Sequence, residues 1–198
     1  MVVQAGLVIL GYLLGSIASA VVVCRLMGLP DPRTQGSRNP GASNVLRLHG
    51  RKAALWTLAG DLMKGFLPVA TARFLDAPHA VIALTGVAAF AGHLYPVYFR
   101  FQGGKGVATL IGVLIGAKLA LGAAFLGTWL AMAALFRYSS LAALTAAALT
   151  PLYTWLLLPH GVYVLCFSVL AALLAVRHRS NITKLVGGSE PKIGGGMV

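Results

Sequence analysis

The sequence GHLYPVYFRFQGGKG, residues 92–106, interrupts an otherwise apolar chain with a short basic turn. Long apolar segments precede and follow it, so the chain leaves an apolar environment here and then re-enters it. Its end, Gly103-Gly104-Lys105-Gly106, is nearly bare of side chains, so backbone N–H groups and one ammonium group can converge on an anion. The segment predicts an anion site at a membrane surface.

The composition around this turn is that of an integral membrane protein. Of the 198 residues, 58% are hydrophobic and 10% are charged, and the mean hydropathy is +0.83. The first apolar run, Val2 to Cys24, can cross roughly 30 Å of hydrocarbon, and no basic residue precedes it as in a cleavable secretory signal. We therefore expect it to remain in the mature protein. Cys24 and Cys166 lack metal-ligand or redox spacing and are expected to be core residues.

The net charge of +12 follows a topological pattern and does not indicate a nucleic-acid partner. Basic residues cluster after the first apolar run, around the glycine turn and after the last apolar run. If these clusters and Arg137 are cytoplasmic, thirteen of the sixteen basic residues obey the positive-inside rule. Arg73 and Lys118 then lie outside, and Lys64 lies within a span. The pattern predicts an external N-terminus and a cytoplasmic C-terminus.

The number of crossings follows from that orientation, which requires an odd number. The apolar segments predict one all-α, polytopic domain over residues 1–198 with seven transmembrane helices: Val2 to Cys24, Ala53 to Leu75, His79 to Phe99, Val107 to Ala117, Leu119 to Phe136, Ser139 to Leu158 and Gly161 to Val176. Five crossings is the alternative, in which the short segment 107–117 is re-entrant or lies in the interface. Small residues four apart, Gly11 with Gly15 and Gly112 with Gly116, predict close helix contacts.

Three polar segments then share the cytoplasmic face, near residues 28–52, 100–106 and 177–198. The first contains GSRNPGASNVLR, residues 36–47. One interpretation is a solvated loop whose asparagine and serine side chains cap a helix that starts near Ala42. The other is a phosphate site in which Ser37 and backbone amides donate and Arg47 clamps the anion.

The second segment differs from a nucleotide-binding P-loop, because Phe99 and Gly106 stand where that motif needs glycine and a hydroxyl residue. Its flexible backbone, the Lys105 charge and a helix beginning near Val107 still favour an anion. A plain membrane-surface turn is the alternative. His93, just before it, is more typical of a core or interface histidine than of a ligand.

The third segment, Arg177-His178-Arg179-Ser180-Asn181-Ile182, ends the last span. His178 and Asn181 are three residues apart, so on a continuing helix they share a face and can both point inward. Ser139 and Ser140, at the cytoplasmic start of the sixth span, can line the same cavity. The arginines can instead anchor the helix at the interface.

Charged residues inside the membrane and the absence of known catalytic motifs limit the reaction mechanisms that the chain can use. Asp61 and Lys64 lie three apart within the second span, where they form a mutual ion pair or Lys64 reaches toward the cavity. The chain has four acidic residues, too few for the carboxylate clusters that hold Mg²⁺, so we expect no metal and no cofactor. It has neither a His-x4-Asp pair nor a Gly-x-Ser-x-Gly elbow, so the chemistry must rely on binding anions together.

The polar segments, taken in order, carry a family resemblance. The motifs are Gly36-Ser37-x-Asn39-x-Gly41-Ala42-Ser43-Asn44 with Arg47, then Gly92-His93 with Pro96-Val97 and Gly103-Gly104-Lys105-Gly106, then His178-Arg179-x-Asn181-Ile182 with Glu190. They resemble the bacterial acyl-phosphate-dependent glycerol-3-phosphate acyltransferases, the PlsY family, and the stretch Asp61 to Gly65 is similar to that family's second span. The chain departs at Ser43, where threonine is usual, and at Ala18, where proline often kinks the first span.

The resemblance implies an enzyme of a bacterial inner membrane whose cytoplasmic site transfers a fatty acyl group from acyl phosphate to the 1-hydroxyl of glycerol 3-phosphate, in the first acylation of phospholipid synthesis. Acyl-CoA and acyl carrier protein are not donors in that family. The catalytic residues expected here are Ser37, Arg47, Lys105, His178 and Asn181. The substrate-binding residues expected here are Asn39, Gly41, Asn44, Lys64, His93, Gly103, Gly104, Gly106, Thr109, Ser139 and Ser140.

Two other function classes stay open at the level of sequence. A transporter or exchanger of a phosphorylated metabolite would also use basic residues and broken spans, but with anion-binding groups near mid-bilayer. A non-catalytic lipid-binding subunit would bind headgroups without turnover. The proton acceptor is likewise open between His178 and the phosphate of the donor. The sequence specifies neither acyl-chain preference nor oligomeric state.

Overall fold

The computed structural model describes residues 1–194, which contain helices and no strand. In this range the α-helices are α1 Val2–Gly15, α2 Ser19–Leu26, α3 Ala42–Phe74, α4 His79–Leu94, α5 Val107–Ala117, α6 Leu119–Phe136, α7 Ser139–Leu157, α8 Gly161–Arg177 and α9 Arg179–Val186, with a 3₁₀ turn at Val97–Phe99. The predicted all-α class is confirmed. The chain forms two compact units, Met1–Ala117 and Lys118–Val198. That residues 1–198 form a single domain stays a prediction.

Close helix pairing through small residues organises the first unit, in which α1 packs on α4 and α3 packs on α5. A methyl group at Gly15 would overlap the backbone of Ala89 on α4, and one at Gly112 would overlap the backbone of Leu62 on α3. In lipid the hydrophobic effect does not drive helices together, so such close backbone approach is a main source of attraction. The predicted packing role of these glycines is confirmed.

The first apolar run is broken, although proline is absent from it. Helices α1 and α2 meet at an angle of 49° across residues 16–18. The ammonium group of Lys64 on α3 donates a hydrogen bond to the carbonyl oxygen of Ile17 in this break, at 2.7 Å. A backbone carbonyl freed by a break needs such a partner in an apolar environment. The bend is therefore held by a lysine from another helix.

The long helix α3 begins where the sequence predicts, at Ala42, and it has no side-chain cap. Its N-cap residue is Gly41, and no side chain accepts a hydrogen bond from the first turn there. Gly50 interrupts the helical backbone with a φ of 83°, so α3 consists of a short segment and a long one. Of the two interpretations of this segment, the one with asparagine and serine side chains as helix caps is not what the structure shows, because Asn44 bonds to the loop instead.

In the second unit α7 packs on both α6 and α8, and α9 contacts α7 and α8. Helix α8 ends at Arg177, and α9 starts at Arg179 after a bend of 60°. His178 lies in this bend, so the expectation that His178 and Asn181 share a face of one continuing helix is wrong. Its physical reason is the turn geometry at His178, whose ψ of 7° ends the regular helix.

The helices of residues 1–194 include three that are long and apolar enough to cross a bilayer, α6, α7 and the segment His79–Phe99. The number rises to five if α1 with α2 and α8 with α9 each form one bent span. Helix α5, with 11 residues, rises only about 16 Å, which is half of a typical hydrocarbon core. Helix α3 carries several charges and is not among these candidates.

Candidate functional site

The buried side chain of Asn44 stabilises the first polar loop through hydrogen bonds to its backbone. This side chain is 1% exposed, donates to the carbonyl oxygens of Pro32 and Gln35 at 2.9 and 3.3 Å, and accepts the backbone N–H of Ser37 at 3.0 Å. A methyl group at Gly36 would come within 2.5 Å of the same amide oxygen. The structure thus assigns the Asn44 amide to the loop. This arrangement leaves the Ser37 side chain on the exposed surface.

Arg33 joins the first loop to the segment before the glycine turn. It forms an ion pair with Asp31 at 2.6 Å, donates to the carbonyl oxygen of Phe99 at 3.4 Å, and lies over the Phe99 ring at 5.8 Å. The hydrogen bond from Arg33 lowers the pKa of Asp31, so the carboxylate stays charged at neutral pH. This connection was not predicted from the sequence, because its two partners lie 66 residues apart in polar and aromatic loop segments.

The glycine turn packs directly on the end of α4. The backbone N–H of Gly104 donates to the carbonyl oxygen of His93 at 3.2 Å, and a methyl group at Gly104 would overlap the His93 ring. Gly106 has a φ of 90° and faces the Phe90 ring, so a larger residue is excluded there by both conformation and space. Close packing therefore requires glycine at these positions, and Lys105 between them is partly buried.

Beneath the turn lies a buried polar cluster. Asp61 and Lys64 form the mutual ion pair at 2.9 Å, and His93 and Thr109 are in contact at 3.1 Å. All four side chains are buried. His93 and Thr109 thus lie next to the turn, and Lys64 is connected to His93 through Asp61, but all of these side chains lie inside the protein.

The other predicted residues of the first unit lie at the loop surface. Arg47 is exposed on the first segment of α3, and Asn39 and Gly41 are partly buried in the loop before it. Gly103 is held against the carbonyl oxygens of His93 and Leu94, which leave no room for a side chain. The first loop and the glycine turn therefore belong to one compact unit and are linked through Arg33.

Glu190 accepts hydrogen bonds from two of the predicted residues of the second unit, Ser140 and Asn181. Its Oε1 atom accepts the hydroxyl of Ser140 at 2.5 Å and the Nδ2 amide of Asn181 at 2.7 Å. The following residues run along the turn between α6 and α7, where Arg137 and Ile193 exchange two hydrogen bonds. Ser139, next to Ser140, is partly buried at the start of α7. Sequence reasoning placed Glu190 in a motif but assigned it no role.

His178 is buried in the bend between α8 and α9, with 3% of its surface exposed. Its Nδ1 atom lies 2.8 Å from the carbonyl oxygen of Leu174, which can only accept, so Nδ1 carries a proton. In the neutral ring Nε2 is then the basic nitrogen. The predicted residues thus fall into two groups, one in each unit, and their meeting in one pocket remains a prediction.

Replacing Glu190 by alanine is expected to lower activity roughly tenfold or more. The change leaves the Ser140 hydroxyl and the Asn181 amide without their shared acceptor, and an unsatisfied polar group costs about 1–3 kcal/mol. Initial rates of the purified variants measure the effect. Ser189→Ala, at the exposed neighbouring position, is the control and should leave activity unchanged; equal activity of the two variants would contradict a role for Glu190.

Comparison with known proteins gives a consistent result over almost the whole chain. A family model described as "Glycerol-3-phosphate acyltransferase" matches residues 5–188. A protein of that name from Thioalkalivibrio sulfidiphilus is 55% identical over 194 residues, covering 98% of this chain and 96% of its own.

Two solved structures are also similar. A crystal structure of PlsY, described as an integral membrane glycerol 3-phosphate acyltransferase in its glycerol 3-phosphate form, has a TM-score of 0.92 and 37% identity, and covers 97% of this chain and 96% of its own. The lysophosphatidic acid form of PlsY has a TM-score of 0.90 and 36% identity, and covers 96% and 95%.

Proposed function

Since the chain belongs to the glycerol-3-phosphate acyltransferase family, we propose that it is a membrane enzyme that acylates sn-glycerol 3-phosphate. The acyl donor is acyl phosphate. Attack by the 1-hydroxyl on the acyl carbon breaks the bond to the donor phosphate. The products are 1-acyl-glycerol 3-phosphate and inorganic phosphate, and the step is the first acylation of phospholipid synthesis.

The observation that carries this proposal is the likeness to two related crystal structures. One is described as the glycerol 3-phosphate form of PlsY and the other as its lysophosphatidic acid form. These are the acceptor and the product of acyl transfer to glycerol 3-phosphate. The basic, amide-rich segments of this chain suit a reaction in which both substrates carry phosphate.

Holding two anions together is the main catalytic task of the proposed site. The phosphate groups of acyl phosphate and glycerol 3-phosphate repel one another in solution. Holding the two reactants in position can itself supply a large part of the rate enhancement. The first loop and the glycine turn bind the acyl phosphate and stabilise charge on the carbonyl oxygen and the leaving phosphate. The groups assigned to this task are Ser37, Asn39, Arg47, Lys105 and the amides of residues 103–106.

The groups assigned to the acceptor glycerol phosphate are Lys105 in the first unit and, within the second unit, Asn181 and Ser140. The Nδ2 amide of Asn181 is held by Glu190, so it is fixed before substrate arrives, while the Ser140 hydroxyl donates its only proton to Glu190 and so fixes that carboxylate. Preorganised donors cost no rearrangement at the moment of reaction. The acyl chain lies in the bilayer between the helices.

The proton of the attacking hydroxyl passes to the phosphate of the donor. His178 is buried in a helix bend and hydrogen-bonded to its own helix, a position that suits a structural role. His178→Gln is therefore expected to keep more than about a hundredth of wild-type kcat, because loss of a general base typically costs 10²–10⁴-fold. A larger loss, with disappearance of the acidic limb of the pH–rate profile, would make His178 the base.

The enzyme lies in the inner membrane of a bacterium with seven crossings, its N-terminus outside and its site on the cytoplasmic side. The positive-inside distribution of the basic residues supports this orientation. In the seven-crossing arrangement, α3 and α5 also cross the bilayer, and the two charges in the middle of α3, Asp61 and Lys64, are buried and paired with each other.

An assay with purified protein in detergent tests the proposed reaction. We expect phosphate to be released from acyl phosphate only when glycerol 3-phosphate is present, with an equal amount of lysophosphatidic acid formed, and no product from acyl-CoA. A carrier shows no turnover without sealed vesicles, and a lipid-binding subunit shows none in either case. Formation of lysophosphatidic acid from glycerol 3-phosphate with acyl-CoA as the sole acyl donor would contradict the assignment of acyl phosphate as the donor.

A further inference from the structure

The buried cluster beneath the glycine turn connects four segments of the first unit. Asp61 Oδ1 lies 2.9 Å from the Lys64 ammonium and 3.6 Å from Nδ1 of His93. The same His93 nitrogen lies 3.1 Å from the hydroxyl of Thr109, and Lys64 donates to Ile17 at 2.7 Å. The chain of contacts thus runs from the break between α1 and α2, through α3 and α4, to the first turn of α5.

The charged side chains of the cluster are buried, so they are not ordinary solvent-exposed charges of a protein surface. Asp61 is 3% exposed, Lys64 6% and His93 5%. Burying a charge pair costs desolvation free energy, and apolar residues of similar volume often give equal or greater stability. The pair therefore serves to position neighbouring groups and not to add stability. Through His93, the cluster contacts the glycine turn at Gly104.

The turn is bracketed by two members of the cluster. On one side, the His93 carbonyl oxygen accepts the N–H of Gly104, and the His93 ring lies against the space where a Gly104 side chain would be. On the other side, Thr109 is in the first turn of α5, which begins directly after Gly106. Lys105 lies between these two fixed points, so a shift of His93 relative to Thr109 would move its ammonium group.

We propose that Asp61 is a positioning residue for the phosphate-binding turn: its carboxylate holds Lys64 and His93, and His93 with Thr109 fixes the backbone that presents Lys105. Asp61 itself does not contact substrate. This inference rests on the proposed function for its biological meaning. It assigns a role in phosphate recognition to a carboxylate buried beneath the site.

Binding of inorganic phosphate separates this role from a purely structural one. The probe is inorganic phosphate, and the readout is the rise of the melting temperature of the full-length protein with phosphate concentration, which gives Kd. Asp61→Asn leaves Lys64 buried without its partner, so both stability and phosphate binding should fall. The double variant Asp61→Leu/Lys64→Met removes both charges and should regain most of the melting temperature.

The expected result is that the double variant, although stable, still binds phosphate at least roughly tenfold more weakly than wild type. Thr109→Val keeps both charges and should also raise Kd roughly tenfold, the size of one lost hydrogen bond to a polar partner. This variant keeps the test valid if a charge variant fails to fold. Thr57→Val is its matched control, since Thr57 is equally buried and donates only to Ala53 of its own helix.

The proposal is overturned if the stable double variant or Thr109→Val binds phosphate like wild type, or if phosphate does not stabilise the wild-type protein at all. The acyl-transfer assay reports separately on the proposed function. Wild-type turnover with unchanged phosphate binding in the variants would reject only the positioning role. Absent turnover with weakened phosphate binding would reject only the assigned reaction.

Discussion

Lys105→Ala and Arg47→Ala are each expected to lower kcat/KM by roughly 10²–10³-fold, the loss seen when one preorganised donor to developing charge is removed. Lys105 lies between Gly104 and Gly106, which both pack on side chains of α4, so the backbone that carries it is held in place before substrate binds. Arg47 is exposed on the first segment of α3, where its planar guanidinium can bind phosphate through two hydrogen bonds. Initial rates over both substrate concentrations measure the loss.

Matched controls lie four and five residues further along the chain, beyond the break at Gly50. Arg51→Ala and Lys52→Ala remove exposed positive charges from the same side of the chain without touching the proposed site. They should retain most of the activity, because single exposed charges contribute little. A similar loss in all four variants would indicate that only the overall positive potential matters, and would contradict the specific roles of Lys105 and Arg47.

Gly104→Ala is expected to reduce activity at least about a hundredfold while the helices remain folded. The added methyl group would overlap the His93 ring, so either the ring or the turn must move. Displacing a catalytic group by about 1 Å can cost on the order of 10²-fold. Circular dichroism, melting temperature and acyl-transfer rate of the purified variant test this expectation.

Gly6→Ala is the control for this substitution. Gly6 lies within α1, and a methyl group there would meet no atom within 4 Å. The control should be at least as stable as wild type, because alanine favours a helix more than glycine does. Full activity of Gly104→Ala would show that the turn tolerates displacement and that its tight packing has no part in catalysis.

Helix positions were largely predictable because the apolar segments end at clear boundaries. The predicted span from Leu119 to Phe136 has the same bounds as α6, and the next one differs from α7 by one residue. Lys118 and Arg137 flank α6 and mark its ends in the sequence. The bend at His178 was not predicted, since the residues around it are compatible with a continuous helix.

The site was predictable only in part, because its supports come from residues far apart in sequence. The motif residues of the glycine turn were found, but its support by Asp61, His93 and Thr109 depends on three helices packing together. Glu190 reaches Ser140 across 50 residues, and Arg33 reaches Phe99 across 66. No local spacing encodes such contacts, whereas a buried Asp–Lys pair three residues apart does have a local signature.

The first loop, the glycine turn and the C-terminal segment are each proposed to face the cytoplasm. To test this placement, single cysteines are introduced at the exposed positions Ser43, Gln102 and Ser189, and intact cells are treated with a membrane-impermeant thiol reagent. The native cysteines, Cys24 and Cys166, are buried. We predict no labelling at the three positions and strong labelling at Pro159, in the turn assigned to the outside. Labelling of any of the three from outside would rule out a cytoplasmic site.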